Sequence, residues 1–174
     1  MGLHVVIDGY NLIRQSDRLS AAEDVSTEQG REALLDLLIQ YKKVKSHKIT
    51  VVFDAAHGNS LAENKIRQRG ITVIFSRQGE LADDVIKRMA AKERERVIVV
   101  TSDHDIVNFA LQRGATAIDS PEFEAKLTMA SYEAEKGVEA DEADKGWSET
   151  TKKKGPARRL SKRKRKSRIK INKL

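Results

Sequence analysis

Val5-Val6-Ile7-Asp8-Gly9-Tyr10-Asn11-Leu12 decides the fold class of this chain: an apolar, β-branched run that stops abruptly on a carboxylate followed by glycine. Leu3–Asp8 reads as a buried strand. The pattern returns at Ile49–Asp54 (Ile-Thr-Val-Val-Phe-Asp) and at Val97–Thr101 (Val-Ile-Val-Val-Thr), with Ser102-Asp103 directly behind the latter. Near-continuous apolar runs of this kind suit strands of a parallel sheet covered on both faces. A third strand is predicted over Ile71–Phe75 and a short fifth over Ala115–Ile118.

Helical spacing fills the intervals. Ala33, Leu34, Leu37, Leu38 and Tyr41 recur at helical spacing in a segment from Thr27, a candidate cap, to about Lys45. Leu81, Val85, Ile86, Met89 and Ala90 make one apolar face over Glu80–Arg94. Ser102 can cap a helix that Gly114 stops near Arg113. Ser120-Pro121 opens a last helix with proline in the first turn, reaching about Ala134. Residues 9–26 read as a loop, His57–Ser60 as a turn, and the segment to Arg69 as a short polar helix ended by Gly70. Strand–helix alternation predicts an α/β fold, an open and mostly parallel sheet of about five strands with helices on both faces.

Length and charge set the organisation. The chain has 174 residues, 39% hydrophobic and 34% charged, which suits one domain with an extension. Net charge is +7, but residues 151–174 carry 13 of the 33 Lys/Arg and no Asp/Glu. The preceding 150 residues hold 20 basic against 26 acidic side chains and are net −6. The expected division is a domain over 1–134, an acidic linker over 135–150 and a basic, disordered tail over 151–174, too polar to fold alone. Absence of cysteine excludes disulfides, thiol nucleophiles and zinc–thiolate sites. No apolar stretch approaches the roughly 20 residues of a membrane span, and no secretory signal opens the sequence. A cytoplasmic protein is expected.

The chemistry is expected at the carboxyl ends of the strands, where open α/β sheets bind ligands. Asp8 ends strand one and Asp103 follows strand four. Asp83, with Asp84 beside it, lies in the first turn of the helix after strand three. Carboxylates gathered without His or Cys make a hard oxygen site suited to Mg²⁺ or Mn²⁺. Such a metal can activate water and stabilise an in-line displacement at phosphorus. Plainer readings stand beside this one: Asp8-Gly9 as a simple turn, Asp83 and Asp84 as acids favoured by a helix dipole, Asp105 as part of a cap behind Ser102, and Asp54 as a turn residue or an outer support of the site. Asn11 could bond loop backbone or orient a phosphate. His4, His47, His57 and His104 share no metal-ligand spacing. A phospho-acceptor role for Asp54 lacks a paired-acid motif after strand one. A haloacid-dehalogenase site would need Asp where Tyr10 stands. No glycine-rich loop ending in Lys-Ser/Thr is present.

The segments Ile7-Asp8-Gly9-Tyr10-Asn11-Leu12-Ile13, Val51-Val52-Phe53-Asp54, Phe75-Ser76-Arg77-Gln78-Gly79-Glu80-Leu81-Ala82-Asp83 and Thr101-Ser102-Asp103 together resemble the NYN domain, in particular its bacterial YacP-like branch, over about residues 3–127. The resemblance implies a PIN-like fold and metal-dependent ribonuclease activity, with endonucleolytic cleavage of RNA, in some members at the ribosome. It implies that Asp8, Asp83 and Asp103 are the metal-binding acids and that Asn11 matches the family's asparagine. Where the branch often has Glu-Thr-Ala-Asp, this chain has Glu80-Leu81-Ala82-Asp83, and Asp84 is an added acid. Asp105 matches a position that is acidic in PIN-like relatives.

In the tail, Lys152, Lys153, Lys154, Arg158, Arg159, Lys162, Arg163, Lys164, Arg165 and Lys166 form a candidate RNA or ribosome anchor. Binding of that kind releases counterions. With six charges engaged, affinity would fall on the order of 10³-fold between 50 and 200 mM salt. A solubilising extension or an import signal would use the same composition. Arg67, Arg69 and Arg77 could extend the path toward the acids or face solvent. Two functions compete: a metal-dependent endoribonuclease, and a non-catalytic RNA- or ribosome-binding protein on the same scaffold.

Overall fold

The computed structural model describes residues 2–55, 64–135 and 161–174. The elements run β1 (His4–Asp8), α1 (Gly9–Gln15), α2 (Asp17–Val25), α3 (Thr27–Val44), β2 (Lys48–Phe53), β3 (Asn64–Gln68), β4 (Ile71–Phe75), α4 (Ala82–Glu93), a 3-10 turn (Arg94–Arg96), β5 (Val97–Val100), α5 (His104–Gln112), β6 (Thr116–Ile118), α6 (Ser120–Glu135) and α7 (Lys162–Ile171). The strands form one sheet of order β3-β4-β2-β1-β5-β6. All pairings are parallel except that of the edge strand β3 with β4. The α/β class and mostly parallel sheet expected above are thus observed, with six strands among the described residues rather than about five.

The period-two alternation of each strand sorts side chains onto two cores. Val5, Ile7, Val51, Phe53, Val73, Ile98 and Val100 pack on one face with Leu12, Leu34, Leu38, Tyr41 and Phe123 of α1, α3 and α6. Val6, Val52, Ile74, Val97 and Val99 pack on the other with Val85, Ile86 and Ala90 of α4 and Ile106 of α5. That parity places Asp8, two residues after Val6, and Asp54, two after Val52, on the α4/α5 side. Thr101, two after Val99, falls there too.

The predicted loop over 9–26 is instead two short helices. The Asp8 side chain accepts from Asn11 N and caps α1, so the chain turns from strand to helix without a connecting loop. Ser16 Oγ caps α2 by accepting from Leu19 N, and Ser26, not Thr27, caps α3 by accepting from Gln29 N. Gly9 is required by close approach: a Cβ there would lie 2.2 Å from Phe53 Cε1. The plain-turn reading of Asp8-Gly9 is replaced by this strand-to-helix junction.

The short polar helix expected before Gly70 is β3 as far as the residues are described. Gln68 pairs with Ile71, leaving Arg69 (φ 47°) and Gly70 (φ 84°) as a two-residue hairpin loop. Two positive φ angles are what such a loop demands, and a helix terminus would also have used the glycine. Charged Lys65 and Arg67 on this exposed strand discourage edge-to-edge pairing. The predicted turn at 57–60 and all of the predicted linker over 135–150 but its first residue lie outside the described residues; Glu135 ends α6 instead.

The expectation of a disordered tail fails over 161–174. Ser161 caps α7 by accepting from Lys164 N. Leu174 is buried, and its carbonyl accepts from Tyr41 Oη at 3.0 Å. Ile171 packs on the α3/α6 core. His47 Nε2 lies 3.1 Å from Lys173 O, and Lys170 Nζ donates to Glu95 O. The helix therefore forms on the body. Composition alone understated this, because the stabilising apolar groups are only Ile171 and Leu174.

Candidate active site

Each acid is held by the element it begins or ends. Asp8 closes β1 and is 8% exposed. Its Oδ1 accepts weakly from Asn11 N at 3.4 Å, and its Oδ2 accepts from Thr101 Oγ1 at 3.1 Å. The same Thr101 hydroxyl oxygen accepts from Asp103 N at 3.1 Å. One fully buried side chain thereby joins the first acid to the backbone of the third. Asp103 is the N-cap of α5, its Oδ1 accepting from Asp105 N at 2.7 Å and from Ile106 N at 3.4 Å. The predicted cap Ser102 is displaced by one residue. Asp83 lies half-buried in the first turn of α4.

The remaining predicted residues support this arrangement. Asp54 Oδ1 accepts from Ala82 N at 2.6 Å and so holds the start of the helix that carries Asp83. Asp84 is exposed and spends Oδ2 on Leu81 N at 3.3 Å, which makes it a capping group. Asp105 does not cap α5. It pairs with Lys87 Nζ from α4, tying the two helices together. Asn11 Oδ1 accepts from Ser102 N at 2.9 Å and from Ser120 Oγ at 2.7 Å, linking α1 to the starts of α5 and α6. Ser102 Oγ donates to Asp119 and accepts from Ser120 N. Asn11 and Ser102 are therefore fastened to protein groups.

Electrostatics show which acids share a field. Burial raises the Asp8 pKa from 3.8 to about 6. The bonds from Asn11 and Thr101 oppose the rise, while Asp83 and then Asp54 add to it. Asp83 is raised as well, by burial first, then by Asp103, with Asp54 and Asp84 adding and Lys87 opposing. Asp8, Asp54, Asp83 and Asp103 are thus electrostatic neighbours at the carboxyl edge. Among the described residues, however, no three His, Cys, Asp or Glu side chains stand at metal-ligand spacing. A cleft of about 390 Å³, lined by Gln15, Thr101, Ser102, His104 and Asp119 among others, includes none of these four acids.

No role in the site was expected for Thr101, Lys87, Asp119 or Ser120. Thr101 was the legible one: the alternation of β5 turns it to the Asp8 face. The pairing of Lys87 with Asp105 depends on how α4 packs on α5, which periodicity does not give.

Of the predicted RNA-binding residues, Lys162, Arg163, Lys164, Arg165 and Lys166 are exposed on α7. Their helix is fastened to Glu95, His47 and Tyr41, just ahead of β5, just ahead of β2 and near the end of α3. All three mark the amino edge of the sheet, opposite the acids. Lys152, Lys153, Lys154, Arg158 and Arg159 lie outside the described residues. Arg77 pairs with Glu80 at 3.3 Å, Arg69 lies 3.9 Å from Asp36, and Arg67 is exposed on β3. His4 is buried between Glu93 and Thr50, a structural role, and His104 is exposed. Among the described residues no helix is long and apolar enough to cross a membrane.

Comparison with known proteins agrees with this architecture. YacP of Bacillus subtilis is 29% identical over 103 residues, and the match takes in 58% of this chain but only 60% of that protein. The crystal structure of Rae1 (YacP) from Bacillus subtilis aligns with a TM-score of 0.65 at 25% identity, covering 79% of each chain. The crystal structure of a mutant of the same Bacillus subtilis protein gives the same TM-score at 24% identity over 78% of this chain and 80% of that one. The family model for the YacP-like NYN domain matches residues 5–171. The resemblance expected from the motifs therefore holds over almost the whole sequence, and the chain belongs to the YacP-like NYN domain family, a branch of the PIN-like nucleases.

Proposed function

We propose that this protein is a metal-dependent endoribonuclease, with Asp8, Asp83 and Asp103 as its metal-binding acids and RNA as its substrate. The observation that carries the reading is the shared field of Asp8, Asp83 and Asp103 at one sheet edge, joined through Thr101. The donor chemistry fits Mg²⁺ or Mn²⁺, because every group is a carboxylate or hydroxyl oxygen. Mg²⁺ commonly takes one or two carboxylates and completes its shell with water and phosphate oxygens, so a closed cage of three acids is not required. When bound, such an ion supplies Lewis acidity and a water of lowered pKa.

The chain's own residues set the conditions for that chemistry. Without a cation, burial leaves Asp8 partly protonated near pH 6, so below that pH a cation must displace a proton to bind it. Thr101 orients Asp8 by donating to Oδ2. Asp54 and the Lys87–Asp105 pair position α4 and α5, and with them Asp83 and Asp103. No protein nucleophile is needed.

The spacing of the acids favours one alternative, a non-catalytic RNA- or ribosome-binding protein on this scaffold. Cleavage of a single-stranded RNA in Mn²⁺ by the parent and by Asp8→Asn decides between them. Cleavage by the parent and its loss in the variant supports the nuclease. RNA binding by both, with metal-dependent cleavage by neither, supports the alternative. A cytoplasmic setting and contact with the ribosome belong to the same proposal.

A further inference from the structure

The two ends of the sheet differ in charge. The carboxyl edge carries Asp8, Asp54, Asp83, Asp84, Asp103 and Asp105. The amino edge carries α7, whose ten residues include seven Lys/Arg and no acid. Between α7 and the β5–β6 side lies a cleft of about 390 Å³. Lys162, Arg163, Lys166 and Lys170 line it, and Glu95 is the acid among the lining residues. The pKa of Lys170 is lowered there chiefly by burial; Glu95 opposes the shift and Lys166 adds a smaller contribution. The helix is docked on the body. Burial of Leu174 and the Tyr41 hydrogen bond fix its orientation on the body.

The distance between the edges has a functional meaning. The first and last Cα atoms of a five-residue strand such as β1 are about 13 Å apart, and α7 lies beyond the amino end of that span. A phosphate seated at the acids is therefore not the phosphate that α7 neutralises. Without an aromatic residue in α7, base stacking contributes nothing there. What remains is sequence-blind attraction for a phosphate backbone.

We infer that α7 and the cleft beneath it form a second RNA-binding surface, separate from the carboxylate edge, which grips the backbone of a folded RNA while another part of the same RNA reaches the acids. This rests on the RNA-directed function proposed above, but not on its catalytic half. The surface lets a large, folded RNA be held at one pole and cut at the other, and it gives a short oligonucleotide no advantage.

The test uses the full chain and the triple variant Lys162→Ala/Arg163→Ala/Lys166→Ala, all three positions being exposed. Binding of a folded hairpin RNA is measured in EDTA across salt concentrations, and cleavage of the hairpin and of a trinucleotide is measured in Mn²⁺. The expected result is a fall of about 2 in the slope of log affinity against log salt, and a loss of about tenfold in hairpin affinity at low salt. The hairpin KM should rise with kcat unaltered, while trinucleotide cleavage stays within about twofold of the parent. Unchanged hairpin affinity and slope would overturn the inference. So would an equal loss of trinucleotide cleavage, because α7 would then belong to the acidic site. If the parent cleaves nothing yet the slope falls as expected, the nuclease proposal fails and this surface stands. Loss of binding to phosphatidylglycerol vesicles with RNA affinity unaltered would make α7 a membrane contact instead and overturn its assignment to RNA.

Discussion

Replacing Asp8 by asparagine should stabilise the folded protein at neutral pH even as it removes the proposed activity. In the unfolded chain Asp8 ionises near 3.8, whereas in the fold it ionises near 6. Below pH 3.8 both states hold the proton and the charge contributes no difference. Between 3.8 and 6 the folded state binds more protons than the unfolded one, so stability falls as pH rises. Above 6 the full penalty of a buried carboxylate is present. A shift of about two units corresponds to roughly 3 kcal/mol, an upper figure since the amide must still be accommodated. For a protein of this size that is a rise in Tm of about 6–12 °C. Thermal unfolding followed by circular dichroism in EDTA at pH 4, 5, 6, 7 and 8 measures it. The gap between variant and parent should be small at pH 4 and widen to its limit by about pH 7. An Asp8→Asn protein less stable than the parent at pH 8, or a gap independent of pH, would refute the assignment of Asp8 as a buried, strained acid.

Other substitutions probe the supports of the site. Thr101→Val removes the hydrogen bond that favours the Asp8 carboxylate and leaves Asp103 N without its acceptor. It should cost about 1–3 kcal/mol in urea unfolding and move the rising limb of the pH–activity profile to higher pH. Asp54→Ala removes the acceptor for Ala82 N and should cost about 1 kcal/mol of stability. It should also lower kcat more than it raises KM, because Asp83 loses its positioning. Gly9→Ala drives a methyl group into the Phe53 ring, an overpacking worth about 1–3 kcal/mol by thermal denaturation. Tyr41→Phe deletes the bond to Leu174 O and should cost about 1 kcal/mol, with amide exchange in α7 accelerated before that of the sheet.

Much of this architecture was legible because burial on both faces writes itself as continuous apolar runs. β1, β2 and β5 were readable for that reason, and so was the placement of Asp8 and Asp103 at one edge. The misreadings arose where one signal serves two structures. Gly70 satisfies a helix end or a two-residue hairpin, and only the antiparallel pairing of Gln68 with Ile71 decides. Ser16 and Ser26 each cap a helix, but α2 buries only Leu19, too little for periodicity to register. The docking of α7 rests on Leu174 meeting Tyr41, a contact between residues 133 positions apart that no local pattern contains. In the proposed site, the candidate acids could be picked out from motif and strand end. The division of labour among them could not: that Asp54 and Asp84 cap α4, and that Asp105 pairs with Lys87, depends on the packing of helices.

The proposed nuclease requires Asp8, Asp83 and Asp103 to act together on one cation. Calorimetric titration of Mn²⁺ into the parent protein at pH 8, and into Asp8→Asn, Asp83→Asn and Asp103→Asn, reads that requirement without any substrate. Saturable binding by the parent is expected, weakened about tenfold or more in each variant. Binding of equal strength in all four proteins, or none in the parent at millimolar Mn²⁺, would contradict it.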